Sequence, residues 1–230
     1  MEELLKTKSR NSEIVCIIPT LNEGATVAEV VRKSMQFVDR VVVVDGYSND
    51  GTSQIASEAG AEVIFQEGKG KGMALRTVFE KVKSDVYVII DGDATYDAFE
   101  MENLINPVLN GEVDMVVGSR LKGNMEKGAI TRTNKIGNGV FNFLINTLFN
   151  GKVSDSQSGY RVMNRDVIEK LNLTSKGFEV ETEITVKALK QDLKIVEVPI
   201  TYTKRRGTPT KLNSFKAGLR IVRTILGSSV

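Results

Sequence analysis

The chain has 230 residues, 41% of them hydrophobic and 26% charged, with a formal net charge of +2. This suits one α/β domain with a small appendage and a sizeable core, and the near-neutral balance excludes a globally basic nucleic-acid binder. Histidine is absent from the sequence, which excludes Ser-His-Asp and Cys-His catalysis and His-ligated zinc.

The first thirteen residues are polar and charged, so no signal peptide is expected. No apolar run reaches the roughly 18 residues of a membrane span, so any membrane contact is expected to be peripheral. The single cysteine, Cys16, lies within Ile14–Ile18 and reads as a buried small hydrophobe in a reducing, cytoplasmic setting.

In chain order, a strand candidate at Ile14–Ile18 ends in Pro19-Thr20-Leu21-Asn22-Glu23 and leads into a helix, Ala25–Phe37. A second strand, Arg40–Asp45, ends in Asp45-Gly46-Tyr47-Ser48-Asn49-Asp50-Gly51, followed by a helix at Thr52–Ala59. A third strand, Glu62–Gln66, leads through Gly68-Lys69-Gly70-Lys71-Gly72 into a helix ending at Val82. The fourth strand, Val86–Ile90, ends in Asp91-Gly92-Asp93 and precedes the helix Phe99–Leu109. The fifth, Asp114–Gly118, ends in Gly118-Ser119-Arg120. Near-continuous apolar strands alternating with helices predict a doubly wound, mostly parallel sheet, with ligands at the strands' carboxyl ends. The polar and acidic residues gather at those ends.

The chemistry follows from residue type. Asp91 and Asp93, one residue apart after an apolar strand, can both reach a hard cation, Mg²⁺ or Mn²⁺, bridging a diphosphate, and Gly92 permits close approach. Asp45 can accept hydrogen bonds from a base or ribose. Asp50 either joins that site or caps the helix from Thr52. The glycine loop with Lys71 opens a helix and can face phosphate, although its spacing is not that of a P-loop. Arg120, Arg132, Lys135, Arg205, Arg206 and Lys211, from three segments, supply the donors that anionic phosphate oxygens take.

After Gly123 the expected elements are a helix at Lys135–Phe149, a loop at Ser154–Arg161, helices at Asp166–Leu171 and Glu179–Gln191, a strand-like Ile195–Tyr202 and a last helix, Ser214–Leu226. The last helix sets an apolar stripe of Phe215, Leu219, Val222 and Leu226 beside Lys216, Arg220 and Arg223. The helix before it carries Ile136, Val140, Phe141, Leu144, Ile145 and Leu148. Such helices suit an anionic membrane surface, and the pattern equally serves core packing or a homo-oligomer contact.

These strand-end motifs together resemble the family 2 inverting glycosyltransferases of the GT-A fold, a Rossmann-like α/β architecture. Arg132-Thr133-Asn134-Lys135, Asp155 through Arg161, Phe178-Glu179-Val180-Glu181, Val198-Pro199-Ile200 and Tyr202 through Lys211 resemble the dolichyl- and polyprenyl-phosphate hexosyltransferase branch. The resemblance covers about Ile14 to Leu226. It implies one GT-A domain over 1–230, with 14–122 binding the nucleotide sugar and 123–230 the acceptor and membrane interface. It implies that Pro19, Thr20, Asn22, Glu23, Asp45, Asp50, Lys71, Asp91 and Gly92 contact the donor, and that Asp91 and Asp93 hold the metal. Arg120, Arg132, Lys135, Arg205 and Arg206 would receive the acceptor phosphate, with Asp93, Asp155 and Arg120 as catalytic groups. Thr95 stands where dolichyl-phosphate mannosyltransferases usually have Gln. This is similar to archaeal lipid-phosphate hexosyltransferases and favours a UDP-sugar over GDP-mannose. The expected reaction is transfer of a hexose or N-acetylhexosamine to dolichyl or polyprenyl phosphate on the cytoplasmic membrane face. The alternative is a soluble transferase acting on a hydroxyl acceptor such as a glycan or phosphoglycerate.

Overall fold

The structure is a computed structural model that describes residues 12–207 and 214–228. Seven strands form one sheet: β1 Ile14–Thr20, β2 Arg40–Asp45, β3 Glu62–Phe65, β4 Val86–Ile89, β5 Met115–Ser119, β6 Arg161–Asn164 and β7 Ile195–Pro199, in the order β3-β2-β1-β4-β6-β5-β7. The helices are α1 Val27–Ser34, α2 Thr52–Glu58, α3 Lys71–Lys81, α4 Met101–Leu109, α5 Arg132–Leu148, α6 Arg165–Leu171, α7 Val180–Lys190 and α8 Ser214–Gly227. A short 3₁₀ turn, Ala98–Glu100, precedes α4, with Asp97 accepting from the Phe99 N–H at 3.1 Å.

Strand side chains alternate between faces, and the apolar runs therefore split between two cores. Ile14, Cys16, Ile18, Val41 and Val43 pack with residues of α1, α2 and α4 on one face. Val15, Ile17, Val42 and Val44 pack with α3, α6 and α7 on the other. Cys16 has no exposed surface, and burial pushes its thiol pKa up to about 12.

Two expectations change. β3, one of the near-continuous runs that suit a strand covered on both faces, lies at a sheet edge and is half-exposed, as is β7 at the other edge. The stretch read as loop and helix contains β6, which runs antiparallel between β4 and β5. Its leading residue hides the signal: Arg161, 1% exposed, sits in the sheet interior. Its guanidinium donates to the Ser156 and Ser158 carbonyls at 2.7 and 2.9 Å and to the Thr185 hydroxyl at 3.0 Å. A charge so enclosed needs those partners.

The register aligns the site. Thr20 pairs with Asp45 across β1 and β2, and Ile17 with Ile89 across β1 and β4, so the polar termini of three strands end together. Gly72 lets the start of α3 approach the next segment, since a Cβ there would lie 2.3 Å from the Ser175 carbonyl oxygen. Glu183 of α7 anchors that segment, accepting from Thr174 N–H (2.8 Å), Thr174 Oγ1 (2.7 Å) and Ser175 N–H (2.8 Å). Burial opposes its charge, but Lys187 and those donors hold its pKa down at about 2 against an ordinary 4.5. The unfolded chain therefore takes up this proton first, and the stabilisation is complete above about pH 4.5 and lost as pH falls towards 2. Melting temperatures measured between about pH 6 and pH 3 are expected to fall more steeply in the wild type than in Glu183→Gln.

Candidate active site

The β1 and β2 termini are tied to one another. Asp45, with no exposed surface, accepts from Thr20 Oγ1 at 3.1 Å, Ser48 N–H at 2.9 Å and Ser48 Oγ at 2.5 Å. Its carboxylate is thus committed to shaping the turn. Asn22 joins the same turn, donating N–H to Ser48 Oγ at 2.8 Å and accepting from Asn49 N–H at 2.9 Å. Asp50 accepts from Gly24 N–H and from Thr52 N–H and hydroxyl, the helix-capping alternative. Burial would raise its pKa, but those donors lower it. Asn22, Tyr47 and Ala94 all have positive φ (52°, 63° and 56°), at three strand ends. Non-glycine residues adopt this conformation at a cost of about 1 kcal/mol, and such strain gathers at functional sites.

Asp91 and Asp93 follow β4 and are each met by a cation. Lys71 Nζ lies 2.5 Å from Asp91 and 2.6 Å from Glu181 of α7. Burial disfavours the Lys71 charge, but Asp91 and Glu181 hold its pKa well above the ordinary lysine value. The 159 backbone presses on this pair: a Cβ at Gly159 would fall 2.7 Å from Asp91 and 2.9 Å from Lys71. Asp93 accepts from Thr95 N–H (3.1 Å) and hydroxyl (2.7 Å), and Arg205 Nη1 lies 2.5 Å from its other oxygen. Arg205 also pairs with Glu23. Burial and the adjacent Asp91 raise the Asp93 pKa against the pull of Thr95 and Arg205. A cavity of about 160 Å³ opens here, lined by Pro19, Thr20, Glu23, Lys71, Asp91, Gly92 and Asp93 and also by Gln66, Phe178 and Arg205. The sheet has thus gathered most of the expected donor set around one space.

The acceptor set divides. Arg120 follows β5 and clasps Asp155 with Nε at 2.8 Å, Nη2 at 2.7 Å and its backbone N–H at 3.0 Å. Asn138 of α5 donates to the same carboxylate at 2.9 Å. Burial would raise the Asp155 pKa, and Arg120 and Asn138 bring it below the ordinary value. The Tyr202 ring lies 5.2 Å from the guanidinium carbon, a cation–π contact. Arg132 and Lys135 sit exposed on the first turn of α5. Arg206 turns to Glu29 of α1 at 2.8 Å. Lys211 lies outside the described residues.

Sequence reasoning missed Gln66 and Asn138, and it named Phe178, Glu181 and Tyr202 within motifs without giving them a role. Gln66 follows β3 as Asp45 follows β2, so the strand-end rule that selected Asp45 reaches it too. Asn138 gave no signal, because the inward side of α5 mixes polar and apolar residues. Asn138, Asn142 and Asn146 hydrogen-bond the 153–156 loop, while Ile145, Phe141 and Leu144 pack in the core shared with α7 and α8. Ile136, Val140 and Phe143 are 70%, 50% and 68% exposed, on a face that also carries Arg132 and Lys135. α8 packs on α5 and α7 through Ile221 and Ile225, which fall outside the expected stripe. Leu219 and Leu226 of that stripe face out, beside exposed Arg220 and Arg223. No helix among the described residues is long and apolar enough to cross a membrane.

Comparison with known proteins decides the family. The model of "Glycosyl transferase family 2" matches residues 15–172. This chain belongs to glycosyl transferase family 2. Among family relatives, the low-salt glycan biosynthesis hexosyltransferase Agl6 of Haloferax volcanii is 39% identical over 91% of this chain, which spans about half (52%) of that protein. The UDP-N-acetylglucosamine–dolichyl-phosphate N-acetylglucosaminyltransferase of Methanococcus voltae is 30% identical, covering 93% of this chain and 96% of that one. Among solved structures, glucosyl-3-phosphoglycerate synthase of Mycobacterium tuberculosis, crystallised with Mn²⁺, UDP-glucose and phosphoglyceric acid, superposes with a TM-score of 0.75 at 25% identity, over 95% of this chain and 80% of the other. The seven-stranded, helix-flanked sheet is the GT-A fold expected from the sequence.

Proposed function

We propose that this protein transfers a hexose or N-acetylhexosamine, with inversion, from a UDP-sugar to dolichyl or polyprenyl phosphate at the cytoplasmic membrane surface. The observation that carries the reading is α5. This helix exposes Ile136, Val140 and Phe143 beside Arg132 and Lys135, a mixture that suits an anionic lipid surface, and holds Asp155 and through it Arg120 with its inward Asn138. A lipid's phosphate is thereby led to a buried arginine at the carboxyl edge of the sheet.

In this reading residues 14–122 bind the donor and the remainder binds the acceptor. Asp91 and Asp93 fit a hard divalent ion, Mg²⁺ or Mn²⁺: they offer adjacent carboxylates, and Thr95 is spent on orienting Asp93 instead of replacing it. Such an ion neutralises charge on the departing diphosphate. Lys71, fixed by Asp91 and Glu181, adds positive charge on the same side. A phosphate oxygen of the acceptor displaces the nucleoside diphosphate at the anomeric carbon. With a second pKa of about 6 that phosphate is largely dianionic and needs no general base. This agrees with Asp155, whose carboxylate accepts four hydrogen bonds from Arg120 and Asn138 and so acts as a positioning residue.

The test is to incubate the protein with vesicles containing a short polyprenyl phosphate, Mg²⁺ or Mn²⁺, and a panel of UDP- and GDP-sugars. Metal-dependent glycosyl-phosphoryl-lipid, seen by mass spectrometry and abolished by EDTA, is the expected result. Product on a glycan or phosphoglycerate, with none on lipid, would replace this acceptor with the hydroxyl alternative.

A further inference from the structure

Around the end of β4 four carboxylates, Glu23, Asp91, Asp93 and Glu181, pair with two cations, Lys71 and Arg205. The cations differ in how they are held. Lys71 belongs to α3, its side chain is 10% exposed, and it is wedged against the 159 backbone. Arg205 comes from the segment beyond β7, with a side chain 24% exposed, and lines the rim of two cavities, one of about 160 Å³ and one of about 500 Å³. Its fork spans Asp93 and Glu23, taking an Asp93 oxygen that a metal ligand would offer.

We infer that Arg205 is a displaceable counter-cation for Asp93, which keeps bare metal out until the donor arrives. The inference rests on the assignment of Asp91 and Asp93 as metal carboxylates. A divalent ion approaching alone meets a guanidinium already bonded to Asp93, and like charges this close repel strongly in a partly desolvated site. An ion arriving with a nucleoside diphosphate brings phosphate oxygens that complete its ligand shell and offset its charge. Displaced from Asp93, the Arg205 fork becomes available to a second anion in the neighbouring space, the acceptor phosphate. Arg205 thus makes metal binding depend on the donor and favours an order in which donor precedes acceptor.

Titration with Mn²⁺ alone, followed by the loss of the free-ion paramagnetic resonance signal, tests this in the wild type, Arg205→Gln and Arg205→Lys. Arg205→Gln is expected to bind Mn²⁺ at least tenfold more tightly than the wild type, with Arg205→Lys between them. Without metal, Arg205→Gln is expected to melt below the wild type, because Asp93 and Glu23 lose their shared cation, and Mn²⁺ is expected to close that gap. Equal or weaker Mn²⁺ binding by Arg205→Gln, with all three proteins binding Mn²⁺ in the presence of UDP, would overturn the inference alone. Failure of all three to bind Mn²⁺ even with UDP would overturn the metal assignment beneath it.

Discussion

Asp93→Ala is expected to lower glycosyl transfer by about a thousandfold or more, the scale on which removing a group that stabilises charge in a buried site acts. Asp93 is 7% exposed and joins three surroundings: Asp91 before it, Thr95 after it, and Arg205 from the far end of the chain. The fold should survive, because Asp93 and Arg205 line the cavity and Arg205 keeps Glu23 as a partner. The measurement is the rate of glycolipid formation at saturating donor, with circular dichroism to verify folding. A loss of less than tenfold would remove Asp93 from the metal site.

The second large effect is on stability. Asp155→Asn is expected to destabilise the protein by about 3–5 kcal/mol, because it leaves the buried Arg120 guanidinium without its counter-charge. For a chain of this size that corresponds to a drop of roughly 10 °C in melting temperature. Asp155 has no exposed surface, and no water replaces it readily. The double variant Arg120→Met with Asp155→Leu is expected to recover most of the stability, since well-packed apolar residues commonly substitute for a buried pair. Transfer should stay lost in both variants while UDP binding remains. Loss of UDP binding in Asp155→Asn would place Asp155 on the donor side and contradict its positioning role.

The parallel half of the fold and the gathering of Thr20, Asp45 and Asp91 at strand ends were legible in the sequence because both follow from local pattern. Runs rich in valine and isoleucine mark β1, β2 and β4, and in an alternating β/α chain their carboxyl ends must meet, so Thr20, Asp45 and Asp91 were found by position. The C-terminal half resisted for physical reasons. β6 begins with a buried arginine whose partners are carbonyls 3–5 residues back and a threonine on α7, none of them visible as a motif. α5 divides its apolar residues, exposing Ile136, Val140 and Phe143 and packing Ile145, so an amphipathic reading alone cannot say which are packed. Asp45 and Asp50 stand at the end of β2 and in the turn after it, and hydrogen bonds within that turn, from Ser48 and Thr52, occupy oxygens that the motif offered to a ligand. The separation of Arg206 and Arg205, adjacent in sequence but committed to Glu29 and Asp93 respectively, is decided by tertiary geometry.

Cys16 gives this protein an internal clock. It is the sole thiol of the chain, sits at the middle of the innermost parallel strand with no exposed surface, and its raised pKa keeps it protonated at working pH. A thiol reagent needs the exposed thiolate, so it can label the native protein only during the moments when the sheet opens. The rate of that labelling measures how often the core breathes, with and without bound donor, and no background thiol obscures a cysteine introduced elsewhere for spectroscopy.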